Sequence, residues 1–243
     1  MDKPVADAVR SGVETLHDTV VERLDDLKPK LRGWLHLATA PLTLAAGIVL
    51  VALSPTTATR IGSAVFIASA LVLFTVSAIY HTGTWSPKTW AFLRRFDHSN
   101  IFVLIAGSYT AFSLLLLDGT AEVALLTTVW AGAVLGVLFR IFWTDAPRWL
   151  YVPLYIAMGW AALFFIPAFF DGATALGLGV GVATFVMILA GGALYTAGGV
   201  VYGIKRPNPS PRWFGFHEVF HSFTILAFVS HYVGISMATY SLR

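Results

Sequence analysis

Long apolar stretches separated by short polar segments make up the chain from residue 34 onward. A helix that crosses the hydrocarbon core of a bilayer, about 30 Å thick, needs about 20 apolar residues. Seven stretches meet this requirement and predict seven transmembrane helices: 34–53, 61–81, 99–117, 119–139, 149–170, 172–204 and 214–240. The sixth stretch is longer than one span requires, and we interpret it as one long or tilted helix because no charged or proline-rich turn divides it.

The first 33 residues have a different pattern. Apolar side chains recur there at spacings of three and four, from Val5 to Leu27, in an otherwise charged segment. This pattern predicts an amphipathic helix that lies on the membrane or on the protein's own loops, with a partner-binding helix as the alternative. A signal peptide is not expected, because no apolar core precedes residue 34. We therefore divide the chain into a cytoplasmic N-terminal segment, 1–33, and a transmembrane domain, 34–243.

The composition agrees with a membrane protein. Hydrophobic residues make up 57% of the chain and charged residues only 12%, and 15 charged residues remain for positions 34–242. So few charges cannot cover the surface of a soluble domain, which excludes a soluble enzyme, a disordered protein and a nucleic-acid binder. The chain has no cysteine, so disulfides and thiolate metal sites are excluded as well.

The distribution of Lys and Arg predicts the orientation. The N-terminal segment and the alternate connections 82–98, 140–149 and 203–213 carry 14 of the 16 basic residues, whereas the opposite side has only Arg60 and Arg243. Because basic residues stay on the cytoplasmic side, the N-terminus is expected in the cytoplasm and the C-terminus outside. The predicted fold is an all-α, seven-helix, multi-pass protein of the inner (plasma) membrane.

The few polar residues inside the spans form three clusters that the topology places at one depth, near the cytoplasmic face. Ser77 and His81 end the second helix, Asp97 begins the third, and His217 and His221 begin the seventh. Ionisable side chains are costly in hydrocarbon, so their convergence marks a candidate functional site.

The spacing of these residues fits metal chemistry. His217 and His221 are four residues apart and share one helix face, so both imidazoles can point at one ion. With His81 they offer three nitrogen ligands, and three ligands plus an open position are typical of catalytic zinc. Zn²⁺ is therefore the expected cofactor, with another transition metal as an alternative. Asp97 can bind the metal, hold its water or orient a ligand histidine.

Four other histidines are expected to play no part in this site. His98 follows Asp97 directly and points elsewhere if that segment is helical. His17, His36 and His231 are interpreted as interfacial side chains, and His231 lies roughly 15 Å from His221 along the helix axis.

The run from His217 to His221 also matches H-E-x-x-H, the helix motif of zinc metalloproteases, in which the glutamate is the general base. A membrane-embedded protease is therefore an alternative function. Helix geometry lets Glu218 face either the site or a neighbouring helix.

Several longer motifs follow one another in order: Ser77-Ala-Ile-Tyr-His81, Asp97-His98-Ser99-Asn100-Ile101, Ile105-Ala106-Gly107-Ser108-Tyr109-Thr110, Tyr155-Ile156-Ala157-Met158-Gly159-Trp160, Gly191-Gly192-Ala193-Leu194-Tyr195-Thr196-Ala197-Gly198-Gly199 and the closing H-x-x-x-H helix. From about residue 34 to the end, this series resembles the hemolysin III family. That family is the bacterial branch of the progestin and adipoQ receptors, which include the adiponectin receptors.

The resemblance implies seven helices with a cytoplasmic N-terminus and a zinc ion held by the histidines that match His81, His217 and His221. It implies that the aspartate matching Asp97 contacts the metal through water. The serine matching Ser77 belongs to the same constellation in a wider superfamily that includes the alkaline ceramidases. Glu218 matches no required residue of the family, which weakens the protease alternative.

The leading functional hypothesis is a zinc-dependent hydrolase of a lipid amide or ester, similar to a ceramidase. Asp97 would accept a proton from water and return it to the leaving group. Ser77 would donate a hydrogen bond to the oxyanion or hold the water. The expected partner is a membrane lipid or fatty-acyl ligand, with no nucleic acid, and the oligomeric state is left open. The alternatives are a membrane-lipid sensor with a structural zinc and a lytic pore.

Overall fold

The structure, a computed structural model, describes residues 29–243. The amphipathic helix predicted between Val5 and Leu27 lies outside the described residues, as does His17. The described part of the chain is built from α-helices joined by short connections.

Eight α-helices and one 3-10 helix follow one another in residues 29–243: α1 (Trp34–Leu53), α2 (Thr57–Thr82), α3 (Pro87–Leu116), α4 (Gly119–Phe142), α5 (Arg148–Gly159), the 3-10 helix (Ala161–Phe165), α6 (Ile166–Ala175), α7 (Leu178–Ile204) and α8 (Phe216–Tyr240). The helices α5 and α6, with the 3-10 helix between them, form one membrane span. The seven predicted spans are therefore confirmed.

The helix ends follow from local sequence signals. The Thr56 hydroxyl accepts a hydrogen bond from the Thr59 N–H and thereby caps α2. At α3 the Ser86 hydroxyl accepts from the Thr89 N–H, and Pro87 occupies the first turn, where its missing N–H costs nothing. This cap explains why α3 begins twelve residues before the predicted start at residue 99, so that Asp97 lies well inside a helix.

The boundary between the fifth and sixth spans differs from the prediction. The stretch 172–204 is not one helix, because the chain turns at Gly177, whose φ of 97° is accessible mainly to glycine. Residues 172–175 instead end the fifth span.

The fifth span, predicted as one helix over 149–170, is interrupted by the 3-10 helix. Pro167 lies in the first turn of α6, where it cannot donate a backbone hydrogen bond. The Tyr109 hydroxyl serves the interrupted backbone by donating to the Gly159 carbonyl (2.6 Å) and accepting from the Ala162 N–H (2.9 Å). A break inside hydrocarbon is tolerated when its backbone groups are served in this way.

Three helices form the centre of the bundle. Of an 18-residue apolar segment in each span, 56% is buried inside the bundle in α2, 72% in α3 and 50% in α8, against 11–28% in the other spans. The helix α3 packs against α2 and α4 and also contacts α5, α6 and α8. The three central helices are those that carry the predicted site residues, so the site is held by the best-packed part of the protein.

The outer surface of the bundle is apolar. Large side chains such as Phe142, Trp149, Phe164 and Leu178 are more than 70% exposed. Such a surface is stable against lipid tails and unstable against water, which agrees with a multi-pass membrane protein.

The close packing of α6 against α3 at Gly172 can be tested by substitution. A Cβ at this position would collide with the Leu116 backbone carbonyl, whereas a Cβ at Gly179 would meet nothing within 4 Å. We expect Gly172→Ala to lower the melting temperature in detergent by several degrees, because backbone cannot yield as a side chain can. Gly179→Ala is the matched control and should leave the melting temperature unchanged or slightly higher. Equal melting temperatures for the two variants would contradict this packing.

Candidate metal centre and lipid cavity

Three buried histidines meet at one end of the bundle. His81 lies in the last turn of α2, and His217 and His221 lie in the first two turns of α8. One nitrogen from each ring can be chosen so that all three atoms lie within 4.8 Å of one another. The ring centroids are 4.6–5.3 Å apart, and no side chain is more than 9% exposed. The structure therefore brings together the three residues predicted as metal ligands.

The chain before α1 closes over this cluster. The N–H groups of Lys30 and Leu31 donate to the carbonyls of Arg212 and Trp213, which precede α8. Gly33 then enters α1 with a φ of 86°, and a Cβ there would lie 2.8 Å from the Cβ of His81. Glycine is needed at this position for its positive φ and for the close approach to the histidine.

Glu218 is part of this closure. Its carboxylate is fully buried, forms an ion pair with Arg32 at 2.5 Å and accepts a hydrogen bond from the Gly215 N–H at 2.7 Å. The first contact attaches the segment before α1 to α8, and the second caps α8. Both oxygens of the carboxylate are thus occupied, by Arg32 and by the Gly215 N–H, which gives Glu218 a structural role and removes the main support for a protease.

Asp97 lies beside the histidine cluster. Its Oδ2 is 3.7 Å from the His81 Nε2, and its carboxylate also accepts a hydrogen bond from the Ser77 side chain. A distance of 3.7 Å is longer than a direct hydrogen bond, so Asp97 lies close to the His81 ring without being hydrogen-bonded to it at this distance. Both predicted catalytic residues therefore lie next to the predicted metal ligands.

His98 makes its hydrogen-bond contacts outside the histidine cluster, although it lines the same cavity as Asp97 and its Nδ1 lies 3.9 Å from the Asp97 Oδ2. Its Nδ1 lies 2.7 Å from the Arg94 carbonyl, and its Nε2 lies 3.3 Å from the Tyr202 hydroxyl. The first contact lies within α3, and the second links α3 to α7.

A cavity extends from the histidine cluster into the bundle. It is lined by residues of the 3-10 helix and of every α-helix except α4. On α8 the lining runs from His217 to His231, roughly 20 Å along the helix axis. The walls are mainly apolar, and among the described lining residues Asp97 is the only carboxylate. The shape and polarity suit a molecule with a polar head and a hydrocarbon chain.

Two histidines interpreted as interfacial are in fact buried. His36, on the first turn of α1, is 2% exposed, and its ring stacks on that of His221 with centroids 3.8 Å apart. His231 is 8% exposed and lies between Phe112 and Tyr195. Both line the cavity. The signal missed was their position inside apolar spans, where an imidazole is costly wherever it lies.

The donor set fits a transition metal. Three imidazoles without a thiolate, with a carboxylate nearby, are typical of catalytic zinc sites. The His221 Nδ1 is buried and has no hydrogen-bond partner among residues 29–243, as expected for a nitrogen that is free to bind an ion. The cluster can therefore hold a metal ion.

Comparison with known proteins agrees with this arrangement. The family model described as "Haemolysin-III related" matches residues 25–232, which covers six of the seven spans and most of α8. The chain belongs to the haemolysin-III related family. It is 34% identical over 161 residues to a Hemolysin-3 homolog of Bacillus subtilis, covering 66% of this chain and 69% of that one. It is 33% identical over 134 residues to Hemolysin-3 of Bacillus cereus, covering 55% and 58% of the two chains.

In this haemolysin-III related protein, the stacking of His36 on the candidate metal ligand His221 can be tested by mutation. We expect His36→Ala to weaken metal binding about tenfold, because the stacked ring restricts the orientation of His221. His36→Phe preserves the stacking and should retain the affinity of the wild type. Titration of metal-stripped protein with zinc in detergent measures both, and equal affinities for His36→Ala and the wild type would contradict the role.

The second test concerns Glu218. Glu218→Gln removes the charge that pairs with Arg32 while keeping an oxygen for the Gly215 N–H, so the variant should lose about 2 kcal/mol of stability. Its metal content, measured by elemental mass spectrometry, should equal that of the wild type. Loss of metal without loss of stability would instead place Glu218 in the metal site.

Proposed function

We propose that the protein is a membrane-embedded hydrolase that cleaves an amide or ester bond of a lipid, with a zinc ion held by His81, His217 and His221. The observation that supports this proposal most strongly is the position of Asp97, the carboxylate that lines the apolar cavity beside the three histidines. A zinc ion at the cluster would supply a Lewis acid that polarises the lipid carbonyl and acidifies water.

Asp97 carries the proton transfers. As the oxygen of a water molecule bonds to the carbonyl carbon, the carboxylate accepts the proton that the water loses. It then donates this proton to the departing nitrogen or oxygen as the C–N or C–O bond breaks. The products are a fatty acid and an amine or an alcohol, and Asp97 returns to its starting state.

Ser77 holds the base in position. Its hydroxyl is hydrogen-bonded to Asp97, so the carboxylate keeps one orientation towards the cluster. Ser77 is 1% exposed, so bulk water does not compete for this hydrogen bond, which is stronger in the low-dielectric interior than in water. We therefore assign Ser77 first to orienting Asp97, and second to hydrogen bonding with the oxyanion.

The cavity binds the rest of the lipid. Its apolar walls exclude water from the acyl chain, and the polar end at Asp97 receives the scissile bond. The bias of Lys and Arg supports a location of that end at the cytoplasmic face of the inner membrane. The head group would therefore enter and leave on the cytoplasmic side.

The names of the two Bacillus relatives raise lysis as a second candidate activity. A lytic pore needs a polar path across the membrane. Among the described residues that line the cavity, the aspartate and the histidines gather at one end, apart from His231, and the remaining walls are mainly apolar. This distribution favours a lipid pocket over a conducting pore.

The hydrolase proposal is tested with purified protein in nanodiscs and a panel of ceramides, N-acyl amides and acyl esters. We expect Asp97→Asn to release fatty acid at least about 100-fold more slowly than the wild type while its zinc content stays unchanged. His217→Ala should lose both zinc and activity. Asp118→Asn, at an exposed cap of α4, is the matched control and should behave as the wild type.

The outcome separates the alternatives. Full activity in Asp97→Asn would overturn the assigned role of that carboxylate. Absence of hydrolysis across the whole panel by zinc-loaded wild type would overturn the hydrolase and favour a sensor with a structural zinc. Conductance in planar bilayers would favour the pore.

A further inference from the structure

His231 lies deep in the bundle, away from the metal cluster. It is the sixteenth of the 25 residues of α8, and its side chain contacts α7 at Gly191, the fourteenth of the 27 residues of that helix. The side chain is only 8% exposed. An imidazole at mid-depth of a membrane protein is costly, and such residues usually have a functional reason.

The neighbouring helices are shaped to admit this ring. A Cβ at Gly191 would collide with the His231 imidazole, so α7 carries a glycine where the ring enters. The ring meets Phe112 and Tyr195 with centroids 5.3 and 5.6 Å away, both in edge-on contacts. His231 is therefore held in one place and one orientation.

The hydrogen bonds of the ring determine what it can still bind. The His231 Nε2 lies 3.4 Å from the Ile188 carbonyl, which can only accept, so this nitrogen carries the hydrogen. The His231 Nδ1 is then an acceptor, and it has no partner among residues 29–243. The Tyr195 hydroxyl, in the adjacent ring, likewise has no partner there. Buried polar atoms are rarely left without a partner unless a ligand or a water serves them.

Both side chains line the cavity that begins at the metal cluster. We infer that His231 and Tyr195 form a second recognition point, which binds a hydroxyl group on the hydrocarbon chain of the ligand. A hydroxyl can donate to the His231 Nδ1 and accept from the Tyr195 hydroxyl at the same time. A ketone can only accept and a methylene group can do neither, so the pair selects a hydroxylated chain.

The position of the pair determines where the hydroxyl lies. His231 follows His221 by ten residues on one helix, which separates them by roughly 15 Å along the axis. With the polar head at the cluster, the hydroxyl lies near the middle of the acyl chain. The inference rests on the proposed function only in taking an acyl lipid as the ligand, because recognition of the chain needs no turnover.

Binding measurements test the inference directly. Stearic acid, a series of monohydroxystearic acids with the hydroxyl moved along the chain, and the matching oxostearic acids compete with a fluorescent fatty acid for the purified protein in detergent. We expect the wild type to bind one mid-chain hydroxy isomer about tenfold more tightly than stearic acid, as two hydrogen bonds allow. The oxo acid with its carbonyl at the same carbon should bind less than about fivefold more tightly than stearic acid.

Two variants assign the preference to the pair. Tyr195→Phe removes one oxygen and His231→Phe replaces the imidazole with an apolar ring. Each should lower the preference to about threefold or less while binding of stearic acid stays within about twofold of the wild type. Ser108→Ala is the matched control, because the Ser108 hydroxyl also belongs to the cavity wall but is already bonded to the Leu104 carbonyl of its own helix. This variant should keep the full preference.

The results separate this inference from the hydrolase proposal. His221→Ala, which removes a candidate metal ligand, should keep the preference for the hydroxy acid even if it hydrolyses nothing. A wild type that prefers the hydroxy acid without hydrolysing any lipid would support the recognition point and overturn the hydrolase. Equal binding of stearic and all hydroxystearic acids by the wild type, or an undiminished preference in Tyr195→Phe, would overturn the recognition point. Should His231→Phe fail to fold, Tyr195→Phe decides alone.

Discussion

The hydrocarbon core of a membrane cannot solvate ionisable side chains, and the arrangement of this protein follows from that constraint. The 209 residues from 34 to 242 that fold into the bundle and its connections carry only 15 charged side chains, so each one inside a span must have a partner or a purpose. The buried histidines of α2 and α8 lie against one another, and Asp97 lies beside them. The most buried helices are therefore also the ones that carry the chemistry.

Sequence reasoning predicted the parts of the structure that depend on this constraint. The bounds of the first span, 34–53, agree with α1, because apolar length and flanking polar residues determine them. The histidines of α2 and α8 could be placed together because two residues four apart share a helix face and the topology sets their depth. Their burial and mutual distances agree with that placement.

The errors arose where a local backbone feature decides the outcome. The break at Gly177 depends on one positive φ, and the interruption of the fifth span depends on a hydroxyl from Tyr109 on a distant helix. Neither changes the hydropathy of the stretch in which it occurs. The stacking of His36 on His221 was missed for a related reason, since the contact joins the first span to the last and leaves no pattern of spacing in the sequence.

The helix α4 contributes nothing to the cavity, although it packs against α3 and donates from the Trp130 indole to the Thr110 hydroxyl. Its outward side chains, such as Val134 and Leu135, have only to match the surrounding lipid. Evolution can therefore exchange them for other apolar residues without altering what the protein binds. Members of one family could in this way adapt to membranes of different thickness or fluidity while their binding specificity stays the same.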